Sequence, residues 1–204
     1  DNEAFQYSVG LNGVGTKAVN ALSSYFEITS WREGEYMNAV FERGELVHKE
    51  KGKGEEPNGT FVSFIPDDDP AIFGKYTYNE DYIKERLWNY AYLNKGLIIS
   101  FNGKTIKSAG GLMDLVKKIL GDDGLYPLIN YKSRNLEFSF THTNGYGESY
   151  HSYVNGQYTS DGGTHEAAFK EGVLKGINEY FHKSWAAPEI RDGIVATVAI
   201  KVMN

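Results

Sequence analysis

Hydrophobic and polar positions change period several times along this chain. Residues 16–24 follow a glycine loop and read as a short helix. In 25–31, Phe26 and Ile28 oppose Glu27 and Thr29, the alternation of a strand. A second strand over 36–42 turns at Arg43-Gly44 into a third at 45–49, and Thr60 to Ile65 forms another that Pro66 ends. The charged, glycine-containing stretch from Lys49 to Asn58 reads as a flexible surface loop. Asn79 is suited to cap a helix, with Glu80 and Asp81 in its first turn and Ile83, Leu87, Tyr90 and Ala91 at helical spacing up to a stop at Gly96. Leu97 to Phe101 and Thr105 to Ile106 flank Asn102-Gly103, a hairpin signal.

Gly110-Gly111 marks the expected domain boundary, giving domains over 1–110 and 111–204. A helix over 112–120 follows, then strands at 128–132, 135–142 and 148–155, with turns at Asn144-Gly145 and Asn155-Gly156. A long helix capped by Thr164 carries Phe169, Val173, Ile177 and Phe181 on one stripe, and Ile194 to Val202 alternates as a last strand. Mixed helices and strands in both halves define an α+β pattern.

Composition narrows the functional classes. The 204 residues carry 27 acids against 21 lysines and arginines, a net charge of −6. Both halves are acidic, with 16 acids and 12 bases up to Gly110 and 11 and 9 beyond it, so charge alone does not drive nonspecific nucleic-acid binding. Hydrophobic residues at 41% supply a core. There is no cysteine, which excludes disulfides, thiolate metal sites and cysteine nucleophiles and fits a cytoplasmic location. No run of 18 apolar residues and no basic-then-apolar leader is present, so no membrane partner is expected. A chain beginning at Asp1 rather than Met is expected of a processed protein or a piece of a longer one.

Two motifs could carry chemistry. In Gly10-Leu11-Asn12-Gly13-Val14-Gly15-Thr16-Lys17, glycines opening a helix let backbone N–H groups approach a phosphate, and Lys17 could add a charge. The spacing fits neither the Walker nor the Rossmann pattern, and a tight turn beside core residues Val9 and Leu11 explains it equally well. Gln157 to Glu166 contains Asp161-Gly162-Gly163-Thr164-His165, most simply a turn into a capped helix, with His165 the one residue inviting an acid–base role. Asp67-Asp68-Asp69 could hold a cation but reads more simply as a solvated loop, and His142 and His151, on neighbouring strands, could pair across a hairpin without a carboxylate to complete a metal site. No catalytic and no metal-ligating residue is assigned.

The block Tyr7 to Ser23, with Gly10-Leu11-Asn12-Gly13-Val14-Gly15 followed by Val19-Asn20-Ala21-Leu22-Ser23, closely resembles the ATPase (B) subunit family of bacterial type IIA topoisomerases, gyrase and topoisomerase IV. Four more stretches agree in order: Gly59-Thr60 to Pro66, Arg86-Leu87 through Leu93-Asn94-Lys95-Gly96, Asp161 to His165, and Ile190 to Ile194. The resemblance implies the C-terminal portion of a GHKL ATPase α/β sandwich followed by a ribosomal-protein-S5-like transducer domain, truncated before the family's Gln-Thr-Lys loop. It implies ATP on Gly10, Leu11, Asn12, Gly13, Val14 and Gly15 of the lid, with Lys17 as a charge contact and Thr60 near the adenine end. Phe5 stands where the family often has a tyrosine, and Arg32 would border the pocket. Mg²⁺, a second copy of the ATPase subunit, the DNA-cleaving subunit and duplex DNA are the implied cofactor and partners, in a cytoplasmic, nucleoid-associated protein.

The family's general-base Glu, its Mg²⁺-binding Asn and its adenine-reading Asp lie upstream of the lid, so the resemblance assigns none of them here and the chain alone is expected to be inactive. A stand-alone S5-like binding module, or another GHKL ATPase of the mismatch-repair or chaperone kind, is the alternative. The Val-Asn-Ala-Leu-Ser continuation and the Asp-Gly-Gly-Thr-His block favour the topoisomerase.

Overall fold

The computed structural model describes residues 13–203. Contacts divide the chain between Tyr78 and Asn79 into two compact units. Gly110-Gly111, the boundary expected from sequence, lies within the second of them.

The first unit comprises helix α1 (Val14–Ala21) and strands β1 (Ser23–Arg32), β2 (Glu35–Glu42), β3 (Glu45–Lys53) and β4 (Gly59–Pro66). The strands form one antiparallel sheet in the order β3-β2-β1-β4. Two-residue turns at Glu33-Gly34 and Arg43-Gly44 join β1 to β2 and β2 to β3, both residues of each at positive φ (56° and 81°, 50° and 85°), the conformation whose twist matches the strands. Phe26, 2% exposed, meets the Phe41 ring edge-on at 6.2 Å.

The expected loop from Lys49 is instead strand as far as Lys53, opposite Glu35. An edge strand tolerates alternating charges because one side of its ladder faces water. Gly52 leaves room there for the Tyr36 ring, whose Cε1 would lie 2.8 Å from a Cβ at that position. The opposite edge differs: β4 leaves Phe61, Val62, Phe64 and Ile65 between 41% and 51% exposed.

Asp67 corrects a second expectation. It is 2% exposed rather than solvated. Its carboxylate accepts from Arg43 Nε at 2.5 Å and Nη2 at 3.2 Å and from the Asp69 N–H at 3.0 Å. The Asp67 N–H donates to the Leu22 carbonyl, and the Arg43 N–H to that of Ser23. The pair thus fastens the β2–β3 turn and the end of β4 to the junction of α1 and β1.

The second unit comprises α2 (Glu80–Leu93), β5 (Ile99–Phe101), β6 (Lys104–Ile106), α3 (Leu112–Leu120), β7 (Ile129–Lys132), β8 (Leu136–His142), β9 (Ser149–Val154), β10 (Gln157–Tyr158), α4 (Thr164–Phe181), α5 (Ala187–Arg191) and β11 (Ile194–Ile200). Asn79 Oδ1 accepts from the Tyr82 N–H at 3.0 Å, the expected cap. Gly110-Gly111 forms the entry to α3: Asp114 accepts from the Gly110 N–H and the Ser108 hydroxyl, both at 2.7 Å. Asn102-Gly103 forms the expected positive-φ hairpin turn (48° and 75°) between β5 and β6.

The five-stranded sheet runs β10-β9-β11-β8-β7, with only β9 and β11 parallel. The last strand therefore lies between β8 and β9, and the direct hairpin expected at Asn144-Gly145 is not formed. Strand registers assign its two faces. Phe138, Phe140, Tyr150, Ile194, Ala196 and Val198 share one face and cluster with Phe169 and Val173 of α4. Tyr153 and Ala199 lie on the other, with Leu112 and Leu115 of α3 and Trp88 and Tyr92 of α2.

Two outcomes test this packing. Because Arg43 foremost, then the Asp69 N–H, hold the Asp67 carboxyl below its ordinary range, the stability it contributes is present above about pH 4 and is lost as pH falls through the lowered value. Acid unfolding monitored by circular dichroism is expected to begin at higher pH in wild type than its neutral-pH stability alone implies, and Asp67→Asn to remove that acid-dependent component while lowering stability at pH 7. Gly193 combines φ of 78° with a would-be Cβ 2.5 Å from the Thr143 carbonyl oxygen. Gly193→Ala is expected to destabilise the second unit by about 2 kcal/mol or more in urea unfolding.

Candidate functional site

The described part of the glycine loop is its exit into α1. Gly13 sits at the N-cap in the left-handed region (φ 61°, ψ 18°) without a side-chain cap. The first turn of a helix presents N–H groups that no backbone carbonyl within the helix accepts, at the positive end of its dipole. The first hydrogen bond back runs from the Lys17 N–H to the Gly13 carbonyl at 3.3 Å. Residues Gly13 to Lys17 are exposed.

The two described loop glycines differ in kind. Gly13 is favoured by its backbone angle. Gly15 is not: its φ is not positive, and a Cβ built there meets no heavy atom within 4 Å. Nothing within the described fold calls for glycine at 15, whereas close approach of a bulky anion to the backbone does.

Of the other residues the resemblance points to, Gly10, Leu11, Asn12 and Phe5 lie outside the described residues. Thr60 is exposed on β4 opposite Ser30, about 23 Å along β1 from Ser23, the residue to which α1 delivers the chain. Arg32 is exposed and contacts Glu33 at 3.4 Å. The structure thus brings Gly13, Val14, Gly15 and Lys17 together at one helix end and leaves Thr60 and Arg32 towards the far end of the sheet.

The second motif is consumed by structure. Gly162 (φ 70°) and Gly163 (φ 148°) make the turn, and Gly163 rather than Thr164 is the N-cap of α4. His165 Nε2 lies 3.3 Å from Thr159 Oγ1, whose hydroxyl lies 2.7 Å from that of Ser152. Ser152, 1% exposed, donates to Glu166 at 2.8 Å, and Glu166 pairs with Lys170 at 2.8 Å. Burial pushes the Glu166 carboxyl up, but Lys170 and Ser152 together hold it below its ordinary value. This relay ties α4 to β9. Sequence reasoning missed its Ser152 and Glu166 ends, although Glu166 stands directly beside the flagged histidine.

His142 and His151 do not meet. Their strands are separated by β11, and their registers with Ile194 and Thr197 put them on opposite faces of the sheet. His142 Nε2 donates to the Ile190 carbonyl at 2.6 Å, and its Nδ1 is hydrogen-bonded with the Tyr126 hydroxyl. Burial lowers the His151 pKa. No cluster of three metal-ligating side chains occurs among the described residues.

Known proteins match the chain across both units. The profile of the DNA gyrase B family matches residues 80–204. The B subunit of DNA topoisomerase 4 from Borreliella burgdorferi is 49% identical over 205 residues, covering all of this chain and 34% of that protein. The B subunit of DNA gyrase from Thermotoga maritima is 34% identical, covering 99% of this chain and 36% of its own length. The crystal structure of the 43K ATPase domain of Thermus thermophilus gyrase B superposes with a TM-score of 0.77 at 31% identity, over 98% of this chain and 61% of that one. The chain belongs to the DNA gyrase B family. Its α+β architecture is that of the ATPase region of these proteins, and it spans about a third of the length of the curated relatives it matches.

Gly15 separates a structural turn from a ligand loop. Gly15→Ala is expected to stabilise α1 by up to about 1 kcal/mol, read in thermal melts, because alanine lowers the entropy cost of the helix and meets no neighbour. If that glycine serves close approach to a ligand, the same substitution lowers the affinity of the loop for that ligand several-fold. A gain in stability with unchanged affinity would leave the loop a turn and nothing more.

Proposed function

We propose that this chain is the lid-and-transducer segment of the ATPase subunit of a type II DNA topoisomerase, a protein that couples ATP binding and hydrolysis to passage of one DNA duplex through another. The observation that carries the reading is agreement along the entire chain, at 49% identity, with a relative named as the B subunit of DNA topoisomerase 4. The α1 terminus supports it: N–H donors without a side-chain cap, a left-handed Gly13 and a Gly15 that no contact among the described residues requires suit a polyphosphate.

In this reading Gly10, Leu11, Asn12, Gly13, Val14 and Gly15 give backbone donors to the phosphates of ATP, Lys17 adds a charge, and Thr60 borders the base end. The strand unit before Asn79 belongs to the ATPase domain. The five-stranded sheet belongs to the transducer, with Gly110-Gly111 leading into its first helix. Mg²⁺ accompanies the nucleotide and is held by residues the resemblance does not assign to this chain. A second copy of the ATPase subunit, a separate subunit that cuts and rejoins DNA, and duplex DNA are the partners, in the cytoplasm at the nucleoid.

The chemistry left to these residues is binding and transmission. Backbone donors that reach the phosphate only when the lid is shut give the closed state its higher affinity, and that difference shifts the population toward closure. The transducer carries the shift onward. No side chain is assigned as base, so the 204 residues by themselves do not hydrolyse ATP.

Calorimetric titration with a non-hydrolysable ATP analogue and Mg²⁺ tests this. The chain alone is expected to give no binding heat, and the parent ATPase region to bind. Tight binding or Mg²⁺-dependent turnover by the chain alone would overturn the assignment of residues.

A further inference from the structure

Where β8 begins and β11 leaves the second unit's sheet, an open cavity of about 290 Å³ is lined by three cations, Lys132, Arg134 and Lys201, and one acid, Glu137. Lys132 and Glu137 lie opposite each other in the β7–β8 pair and are 2.7 Å apart, so they neutralise one another. Arg134 and Lys201 pair with no acid among the described residues.

The two cations stand on a fixed frame. The turn that carries Arg134 is closed by the Ser133 N–H donating to the Leu136 carbonyl at 2.8 Å and by the Leu136 N–H donating to Ser133 Oγ at 3.1 Å. The Lys201 N–H donates to the Asn135 carbonyl at 2.9 Å, which joins the roots of the two side chains. Asn155 anchors the residue after Lys201: its Nδ2 donates to the Val202 carbonyl at 3.1 Å, and its Oδ1 accepts from the Val202 N–H at 2.9 Å. A second cavity of about 390 Å³ shares Tyr90, Leu93, Gly156 and Gln157 with the first and brings Arg86 to its lining. Arg86 donates to the Tyr82 hydroxyl rather than to a carboxylate.

Like charges held side by side repel, and a concave wall concentrates their field. In a chain of net charge −6, an Arg–Lys pair that no acid of the described residues neutralises, on a braced rim, is a local reversal of sign. We infer that this hollow is a binding site for an oxyanion of the phosphate class, held between Arg134 and Lys201. The planar fork of Arg matches two phosphate oxygens, and Lys adds a compact charge to a third. The Asn135 and Gln157 amides at the lining supply neutral donors. The site belongs to a different compact unit from the glycine loop and goes beyond the nucleotide reading above.

The test is a ¹H–¹⁵N NMR titration of the full chain with inorganic pyrophosphate at physiological ionic strength. Saturable shifts are expected at the amides of Arg134, Asn135, Gly156 and Lys201. Arg134→Gln and Lys201→Gln are each expected to weaken binding about tenfold, the loss of one charged hydrogen-bond partner. Lys104→Gln, the same charge change on the β5–β6 hairpin, is expected to leave it unchanged. The spectra themselves report whether each variant folds. Shifts that fail to saturate, that respond equally to Lys104→Gln, or that occur only at Gly13 to Lys17 would overturn the proposal. So would a hexaglutamate peptide saturating the same amides where pyrophosphate does not, an outcome that would make the hollow an acidic-peptide site.

Discussion

The second unit depends on the position of β11. It is hydrogen-bonded along both edges, to β8 and β9, and covered on both faces. Ala196, Thr197 and Val198 are fully buried and Ile194 nearly so. A strand enclosed on four sides has room only for what its neighbours leave. On the α4 face those neighbours are the rings of Phe138, Phe140, Tyr150 and Phe169, tilted or edge-on at 5.2 to 6.3 Å, and the strand contributes the small Ala196 between them. On the α3 face the arrangement is reversed: Ser139, Thr141 and Thr197 are buried hydroxyls, Thr141 donating to the Tyr126 carbonyl and Thr197 to that of Ser139, while the Ser139 hydroxyl itself has no partner among the described residues. Hydroxyls that return their hydrogen bond to the local backbone can be buried at little cost.

This asymmetry explains what could be read from sequence. The alternation from Ile194 onward announces one buried face and suggests a solvated opposite face, yet that face is also closed, by α3. Local signals were reliable where a single residue sets the backbone: Asn79 caps α2, Asn102-Gly103 and Asn155-Gly156 turn at positive φ, and α3 spans the residues its pattern indicates. Signals failed where a distant partner decides. Lys49 to Lys53 become strand because β2 offers an edge. Asp67 is buried because Arg43 reaches it from another turn. β8 and β9 part because a strand from the end of the chain enters between them, and no short-range pattern records that.

The candidate site was legible to a different degree. The glycine loop was visible as a motif, but the motif does not distinguish Gly13, held by its backbone angle, from Gly15, which no contact of the described residues requires. That difference is geometric. Arg134 and Lys201 were invisible as a pair, since a turn and a strand exit acquire a common cavity only through the order of strands in the sheet. The Asp161 to His165 block, conspicuous as a motif, resolves into a relay through Ser152 and Glu166 that fastens a helix.

The uncovered edge strand β4 bears on how the protein behaves as a material. Among the described residues its outer ladder is open and its apolar residues stand on both faces of the sheet, while the charged β3 guards the other edge. Two such edges meeting in solution would complete each other's ladders and shield four large side chains apiece from water. In terms of handling, the described β4 rim is the place where this chain would meet a second copy of itself, and a lysine on β4 would oppose that contact without touching the core.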